Sequence, residues 1–337
     1  MKRAAYWKAT CVAMAVTLLP GVVMAQETTV RIAQQFGVAY LPLIVAIDGK
    51  LIEKQGEKLG LAGTKVEVAT IASGAAVNDA LISGSIDVAM AGSTVLANLW
   101  DRTRGRDEIK GMMAIADTPI YFNTVDPRIK SIRDLTSEDR VAMTAGRGTQ
   151  HALVLQMAAA DAFGWDNRTK LDDLTVSMSH PDGVAALLSG GAQVKTHATT
   201  VPFIQMELAD KRVRTIMKSS DVVGGRHTLI AAYSRDSFLK KNPKLYEATY
   251  KGLSEAIDII NADKSAAADL FIRATKSKLT KEQIMAILSD EDMIAYSATP
   301  SRVMPFVDYM VKTGRIKNKP DGWKDLFFAN VHDLKGS

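Results

Sequence analysis

Downstream of residue 26 the apolar and polar positions alternate between a period of two and a period near 3.6. Residues 30–33 alternate as a strand, and a polar, glycine-containing loop at 34–40 leads into 41–55. There Leu43, Ile44, Ile47 and Leu51 recur at helical spacing. Residues 65–70 alternate again, 73–82 read as a helix opened by Ser73 and Gly74, and 86–90 form a third strand before a Gly92-Ser93-Thr94 loop. A strand at 112–116, a crossing segment at 117–121 and a short helix at 131–135 come next. The order then restarts: strand 140–144, a glycine-rich turn, helix 151–163, strand 174–178, helix 183–188, strand 193–196. Strands are also predicted at 214–218 and 228–233, the latter carrying the chain back. From Asn242 the pattern is mostly helical, with Leu245, Tyr250, Leu253, Ile257 and Ile260 on one stripe. Alternation of strand and helix over this length predicts an α/β fold rich in parallel strands with right-handed crossovers.

The restart is visible in the residues themselves. ALISGSIDVAMAGSTV at 80–95 and ALLSGGAQVKTHATTV at 186–201 share seven of sixteen positions at an offset of 106. Each copy reads as a helix end, a Ser-Gly turn, a short strand and a loop with adjacent hydroxyls, Ser93-Thr94 in one and Thr199-Thr200 in the other. Two similar lobes are therefore expected, each offering hydroxyls at a strand end. A helix beginning beside such a loop adds unpaired N–H groups and partial positive charge, which suit an anion or a polar ligand.

The N-terminus changes the expected compartment. Lys2, Arg3 and Lys8 precede an apolar run from Cys11 to Leu19, a Pro20-Gly21 break and Val23-Met24-Ala25. This is the pattern of a secretory signal peptide over residues 1–25, cut after Ala25. The run is too short for a membrane span. Cys11 is the single cysteine and lies inside the apolar segment, so neither lipid attachment at a cleavage-site cysteine nor, after cleavage, any thiol chemistry, cysteine metal site or disulfide is expected. The formal charge of +5 falls to about +2 without Lys2, Arg3 and Lys8, and no basic surface suited to nucleic acid stands out.

Five segments carry a family resemblance: GKLIEKQG at 49–56, SGSIDVAMAGST at 83–94, VAMTAGRGTQHALVLQMA at 141–158, HPDGVAALLSGGAQV at 180–194 and the ending at 299–328. In this order they resemble the periplasmic solute-binding proteins of ABC importers, in the nitrate, sulfonate and taurine group that also includes thiamine-precursor binders. The resemblance implies a type II periplasmic-binding fold, α/β and two-lobed. Each lobe is a mixed, mostly parallel sheet flanked by helices, with a ligand cleft between. Lobe I is expected from 26–119 plus 227–337 and lobe II from 120–226. It further implies a monomeric periplasmic receptor without a cofactor that binds a small anion, closes about a hinge, and docks on an inner-membrane ABC permease. Closure by a ligand requires contacts from both lobes.

Ligands of open α/β sheets bind beyond the carboxyl ends of strands. In the first lobe this selects Gln35, Phe36 and Tyr40, then Ser73 and Gly74, then Ser93 and Thr94. Serines and threonines before helices also serve simply as N-caps. In the second lobe Thr149, Gln150 and His151 look like the family's hydroxyl-to-histidine helix start, and Arg147 offers a guanidinium suited to a carboxylate or sulfonate. His180, and His197 beside Thr199 and Thr200, complete that side, and Arg226 is placed near the hinge. The histidine spacing matches no compact zinc pattern. No G-x-S-x-G element and no P-loop is present. Sulfonate, nitrate and carboxylate, including an aromatic acid walled by Phe36, Tyr40 and Phe203, all suit such a site. An exported enzyme using His151 or His180 as a base, and a ligand-sensing subunit for a membrane receptor, are the alternatives.

Overall fold

The computed structural model describes residues 27–72, 74–144, 149–190 and 194–337; the predicted signal segment, Ser73, Arg147 and Gln193 lie outside the described residues. The chain opens with β1 (Thr29–Gln34), α1 (Leu41–Asp48) and α2 (Leu51–Lys58). The single helix expected over 41–55 is thus two. Lys50 adopts a left-handed conformation (φ 48°) that interrupts the hydrogen-bond ladder and redirects the chain. β2 (Lys65–Thr70), α3 (Gly74–Ser83), β3 (Val88–Gly92), α4 (Ser93–Thr103) and β4 (Ile109–Asp117) follow.

After residues 118–120 the chain enters β5 (Tyr121–Thr124), then β6 (Val141–Met143), α5 (Gln150–Phe163), β7 (Thr175–Ser177) and α6 (His180–Leu188). β8 (Thr196–Thr199), α7 (Phe203–Leu208), β9 (Arg214–Lys218) and α8 (Ser219–Val223) come next. β10 (Thr228–Arg235) then leads to α9 (Asp236–Lys241), α10 (Pro243–Ala262), α11 (Lys264–Thr275), α12 (Lys281–Ser289), β11 (Ala295–Tyr296) and α13 (Met304–Lys312). The short helix expected at 131–135 is a 3-10 turn, Ile132–Asp134, closed by reciprocal bonds between Ser131 and Asp134.

Two sheets result, with strand orders β11-β4-β10-β3-β1-β2 and β7-β6-β8-β5-β9. Both are mixed. β1 pairs in parallel with β2 and β3, and β6 with β7 and β8. β10 enters the first sheet antiparallel between β3 and β4, and β5 enters the second antiparallel between β8 and β9. The repeated sequence therefore marks equivalent strands: β3 and β8 each lie between a parallel neighbour and an antiparallel strand that follows a crossing. The chain crosses between the sheets twice, from β4 to β5 and from α8 to β10, and both crossings adjoin a buried strand.

β8 lies later than the strand predicted at 193–196, so His197 and Thr199 are strand residues with buried side chains rather than loop residues. Thr-His-Ala-Thr carries no β-branched apolar alternation. What makes it a strand is the antiparallel register with Tyr121–Thr124, whose Phe122 is fully buried.

The first sheet is stapled by Asp87, buried at the entry to β3. Its carboxylate accepts from the Arg31 backbone N–H (2.9 Å), Nε (2.9 Å) and Nη2 (2.7 Å), while Ser234 on β10 donates to its carbonyl (2.7 Å). Three neighbouring strands are joined through one residue. Behind this sheet α10 meets α2 at Gly252, where a Cβ would fall 2.8 Å from the Ile52 nitrogen, so the helices touch backbone to backbone. Among the described residues no helix is long and apolar enough to cross a membrane.

Candidate functional site

Strand ends of both sheets converge on one cavity, and the helices that follow them begin there. Gly74 opens α3, Gly92 caps α4, Thr149 and Gln150 open α5, and His180 opens α6; all of them line the cavity. Local chemistry sets these starts. Thr149 Oγ1 accepts from the Ala152 N–H, and Ser179 Oγ accepts from the Asp182 N–H with Pro181 tolerated in the first turn. Each start directs partial positive charge and backbone donors at the same space. Ala72, Leu229 and Ile230 add small and apolar wall, and no lysine or arginine among the described residues lines it.

From the first sheet, Gln35, Phe36 and Tyr40 reach the cavity. Tyr40 Oη donates to Gln35 Oε1 (3.2 Å), and Gln35 Nε2 donates to the Ala72 carbonyl (3.2 Å), which fixes that amide. Burial pushes the Tyr40 phenol far above its ordinary value, so it is a neutral hydroxyl. Phe36 is 43% exposed and forms a partly solvated wall.

From the second sheet come His151, His180, Thr144 and Thr200. His151 Nδ1 pairs with Thr144 Oγ1 (3.2 Å), while its Nε2 is buried and makes no hydrogen bond among the described residues. His180 stacks on Phe203 with ring centroids 5.3 Å apart and an interplanar angle of 27°. Burial, reinforced by neighbouring imidazoles, holds His151 and His180 well below the usual histidine range, so both are neutral at neutral pH.

Other expected residues sit elsewhere. Ser93 is buried as the first residue of α4 and donates to the Thr228 carbonyl (2.9 Å), and Thr94 is buried in the same turn; neither lines the cavity. A helix starting directly at Ser93 turns the Ser93 hydroxyl toward β10. Thr199 is buried within β8, and its hydroxyl has no hydrogen-bond partner among the described residues. Its neighbour Thr200 does reach the cavity. Arg226 lies in the second crossing, 3.7 Å from Asp117 and 3.4 Å from Glu291, on a separate surface depression with Asn261 and Tyr296. Gln150 touches the cavity but spends its amide on the crossing. Nε2 donates to the Thr228 carbonyl (2.9 Å) and lies 3.3 Å from His227 Nδ1.

His197 lies behind His180, away from the cavity lining, and leads to a residue the sequence reading passed over. Its Nδ1 is 2.5 Å from Glu207 Oε1, its Nε2 is 3.3 Å from His180 Nδ1, and both His197 and Glu207 are fully buried. Burial pushes the Glu207 carboxyl up to about 8 and the His197 imidazole down to about 3. The signal for Glu207 was one acid within the otherwise uncharged helix FIQMEL. Gly183 makes room for the relay, because a Cβ there would fall 2.5 Å from His197 Nε2. With that ring held from both sides, Gly183→Ala must displace α6. The expected loss is about 1–3 kcal/mol, read as a lower urea midpoint at unchanged slope. An unchanged midpoint would show that the ring is free to move aside.

Among the described residues no group of three or more histidines, cysteines, aspartates or glutamates is placed to hold a metal ion. No curated protein matches the chain. Solved structures match across most of its length. The periplasmic aliphatic sulphonate binding protein SsuA from Escherichia coli is 17% identical, with TM-score 0.65 over 90% of this chain and 92% of that one. SsuA from Xanthomonas axonopodis pv. citri, bound to MOPS, is 17% identical, with TM-score 0.68 over 91% and 98%. The periplasmic nitrate-binding protein NrtA from Synechocystis is also 17% identical, with TM-score 0.67 over 87% and 83%. At such identities the likeness establishes the fold alone, that of periplasmic binding proteins. The family follows from the sequence, whose residues 24–274 match the NMT1-like model; the chain belongs to the NMT1-like family.

Proposed function

We propose that this chain is an exported solute-binding protein that captures a small anion, a sulfonate, nitrate or carboxylate, between its two lobes and delivers it to an ABC permease. One observation carries the reading: α3, α4, α5 and α6 all begin at a cavity whose described side chains offer hydroxyls, amides and neutral imidazoles. Converging helix N-termini favour negative charge without a lysine or arginine. The buried Nε2 of His151 supplies a further polar atom in need of a partner. In this reading the lobes are residues 26–119 with 227–337 and residues 120–226, and the two crossings are the hinge. Residues 1–25 direct export to the periplasm, where the binding proteins with the same fold are found.

The test is a thermal-shift screen of the chain without residues 1–25, against nitrate, alkyl and aryl sulfonates, taurine and aromatic carboxylates, each paired with an uncharged analogue. An anion at 100 times its Kd stabilises the fold by about 2.7 kcal/mol. The expected hit is selective for charge, returns unchanged at 1:1 stoichiometry, and compacts the protein in solution scattering. Consumption of the hit would make the protein an enzyme, and stabilisation by the uncharged analogue alone would overturn the anion site.

A further inference from the structure

The cavity's electrostatics extend one layer behind its wall. Thr215 Oγ1 donates to Asn123 Oδ1 (2.8 Å), which fixes that amide so that Asn123 Nδ2 donates to Glu207 Oε2 (2.9 Å). Glu207 Oε2 is therefore an acceptor, and only Oε1 remains to exchange a proton with His197 Nδ1, 2.5 Å away. His197 Nε2 then meets His180 Nδ1 at 3.3 Å, and His180 lines the cavity with no hydrogen bond to its Nε2 among the described residues. The line runs from α7 through β8 to α6 and ends at the space assigned to the anion.

Resting on the anion reading above, we infer that Glu207 is a positioning residue: through His197 it sets the tautomer of His180, and so decides whether the cavity offers the ligand an N–H donor or a lone pair. The proton count gives two states. With one proton between Glu207 and His197 Nδ1, whichever atom carries it, there are two arrangements. A neutral Glu207 donates to Nδ1, or an ionised one faces an imidazolium; in both, His197 Nε2–H donates to His180 Nδ1, and His180 carries its hydrogen on Nε2. With that proton removed, Glu207 is ionised and accepts from a neutral His197 Nδ1–H. His197 Nε2 becomes an acceptor, His180 must donate from Nδ1, and its Nε2 turns a lone pair to the cavity with an uncompensated carboxylate behind it. No covalent bond other than N–H and O–H changes, and the proton lost goes to solvent.

The surroundings make this a one-proton titration, shared between Glu207 and His197. His197 from β8, His180 from α6 and, beyond it, His151 from α5 are the titratable side chains facing the line, with Asn123 from β5 and Phe203 from α7 completing its walls. Among the described residues no lysine, arginine or second carboxylate forms a hydrogen bond or ion pair with it. Burial raises Glu207 to about 8, so the donor state prevails below that pH and is lost above it. Anion affinity should follow, high below and falling as pH rises through the Glu207 titration.

Glu207→Gln separates the cases. Asn123 holds the Gln oxygen, so the amide nitrogen donates to His197 Nδ1 and locks the donor state. Histidine side chains labelled with ¹⁵N report the tautomer directly in the ligand-free protein between pH 6 and 10. The wild type should convert His180 from Nε2–H to Nδ1–H with a midpoint near 8, and E207Q should remain Nε2–H throughout. For butane-1-sulfonate, nitrate and benzoate, wild-type affinity should fall about tenfold from pH 7 to 9.5, with less than about a twofold change in E207Q. A His180 tautomer that ignores pH in the wild type, or an E207Q protein that still titrates, overturns the relay. A tautomer switch in a protein that binds none of the three probes leaves the relay standing and overturns the anion reading instead.

Discussion

Gln150→Ala is expected to cost about 2–3 kcal/mol of stability and at least tenfold in ligand affinity, because Gln150 joins the start of α5 to the crossing into β10. Its Nε2 donates to the Thr228 carbonyl at 2.9 Å and meets His227 Nδ1 at 3.3 Å, while its Oε1 lies 3.4 Å from the Ser93 hydroxyl. His227 in turn meets Ser219 Oγ at 2.8 Å, and Ser219 accepts from the Ile120 N–H at 2.8 Å. Both crossing segments are thus tied to one amide. Truncation removes one of the two side-chain donors to the Thr228 carbonyl, which Ser93 Oγ still reaches at 2.9 Å, and takes the amide away from His227 Nδ1 in a buried site, at about 1–3 kcal/mol for a group left unpaired. It also frees the angle between the lobes, which the proposed closure has to set. Gln150→Glu keeps the shape but turns carboxylate lone pairs toward the Thr228 carbonyl, so it should be at least as damaging. Urea unfolding measures the first effect and calorimetric titration with the screened anion the second. Wild-type affinity in both variants would show that closure does not depend on this contact.

Asp87→Ala should lower stability by about 2–3 kcal/mol, at or just below the lower edge of the roughly 3–5 kcal/mol for breaking a fully buried pair. Asp87 is 2% exposed, but Arg31 keeps a third of its side chain in water and recovers some hydration once its partner is gone. Arg235, 3.8 Å from the same carboxylate, also loses its counter-charge, and the Arg31 backbone N–H loses its acceptor. β1, β3 and β10 are held in register through this residue; β1 ends one residue before Gln35 and β3 ends at Gly92, both on the cavity rim. The urea midpoint should fall, and Asp87→Asn, which keeps an acceptor for the backbone N–H, should fall less. Equal midpoints for D87A and the wild type would reduce the staple to a solvated surface pair.

The repeat at 80–95 and 186–201 announced the two-sheet plan because strand and helix periodicity are local and survive in any α/β chain. Strands β1, β2, β9 and β10 lie where their alternation placed them. β5 did not stand out and β8 was expected three residues too early, since Tyr-Phe-Asn-Thr and Thr-His-Ala-Thr take their strand character from each other across the antiparallel register. The break at Lys50 was equally illegible, because the apolar stripe continues across it while the backbone does not.

The same division runs through the candidate site. Sequence alone marked Gln35, Phe36, Tyr40, Gly74, Thr149, Gln150, His151, His180 and Thr200, which share the cavity, since residues after strands and at helix starts are gathered by topology whatever their exact angles. It could not sort the hydroxyls that line the cavity from Ser93 and Thr94, which α4 buries away from its lining. Nor could it join His180, His197 and Glu207, which lie on three different elements. The sequence determined the class of fold, the expectation of export and the loops from which a site would be built, because each is written in short-range pattern. Only the tertiary structure decided which side chains meet, which are buried behind the wall and which proton they share, because hydrogen bonding and desolvation depend on distances between segments that no local pattern encodes.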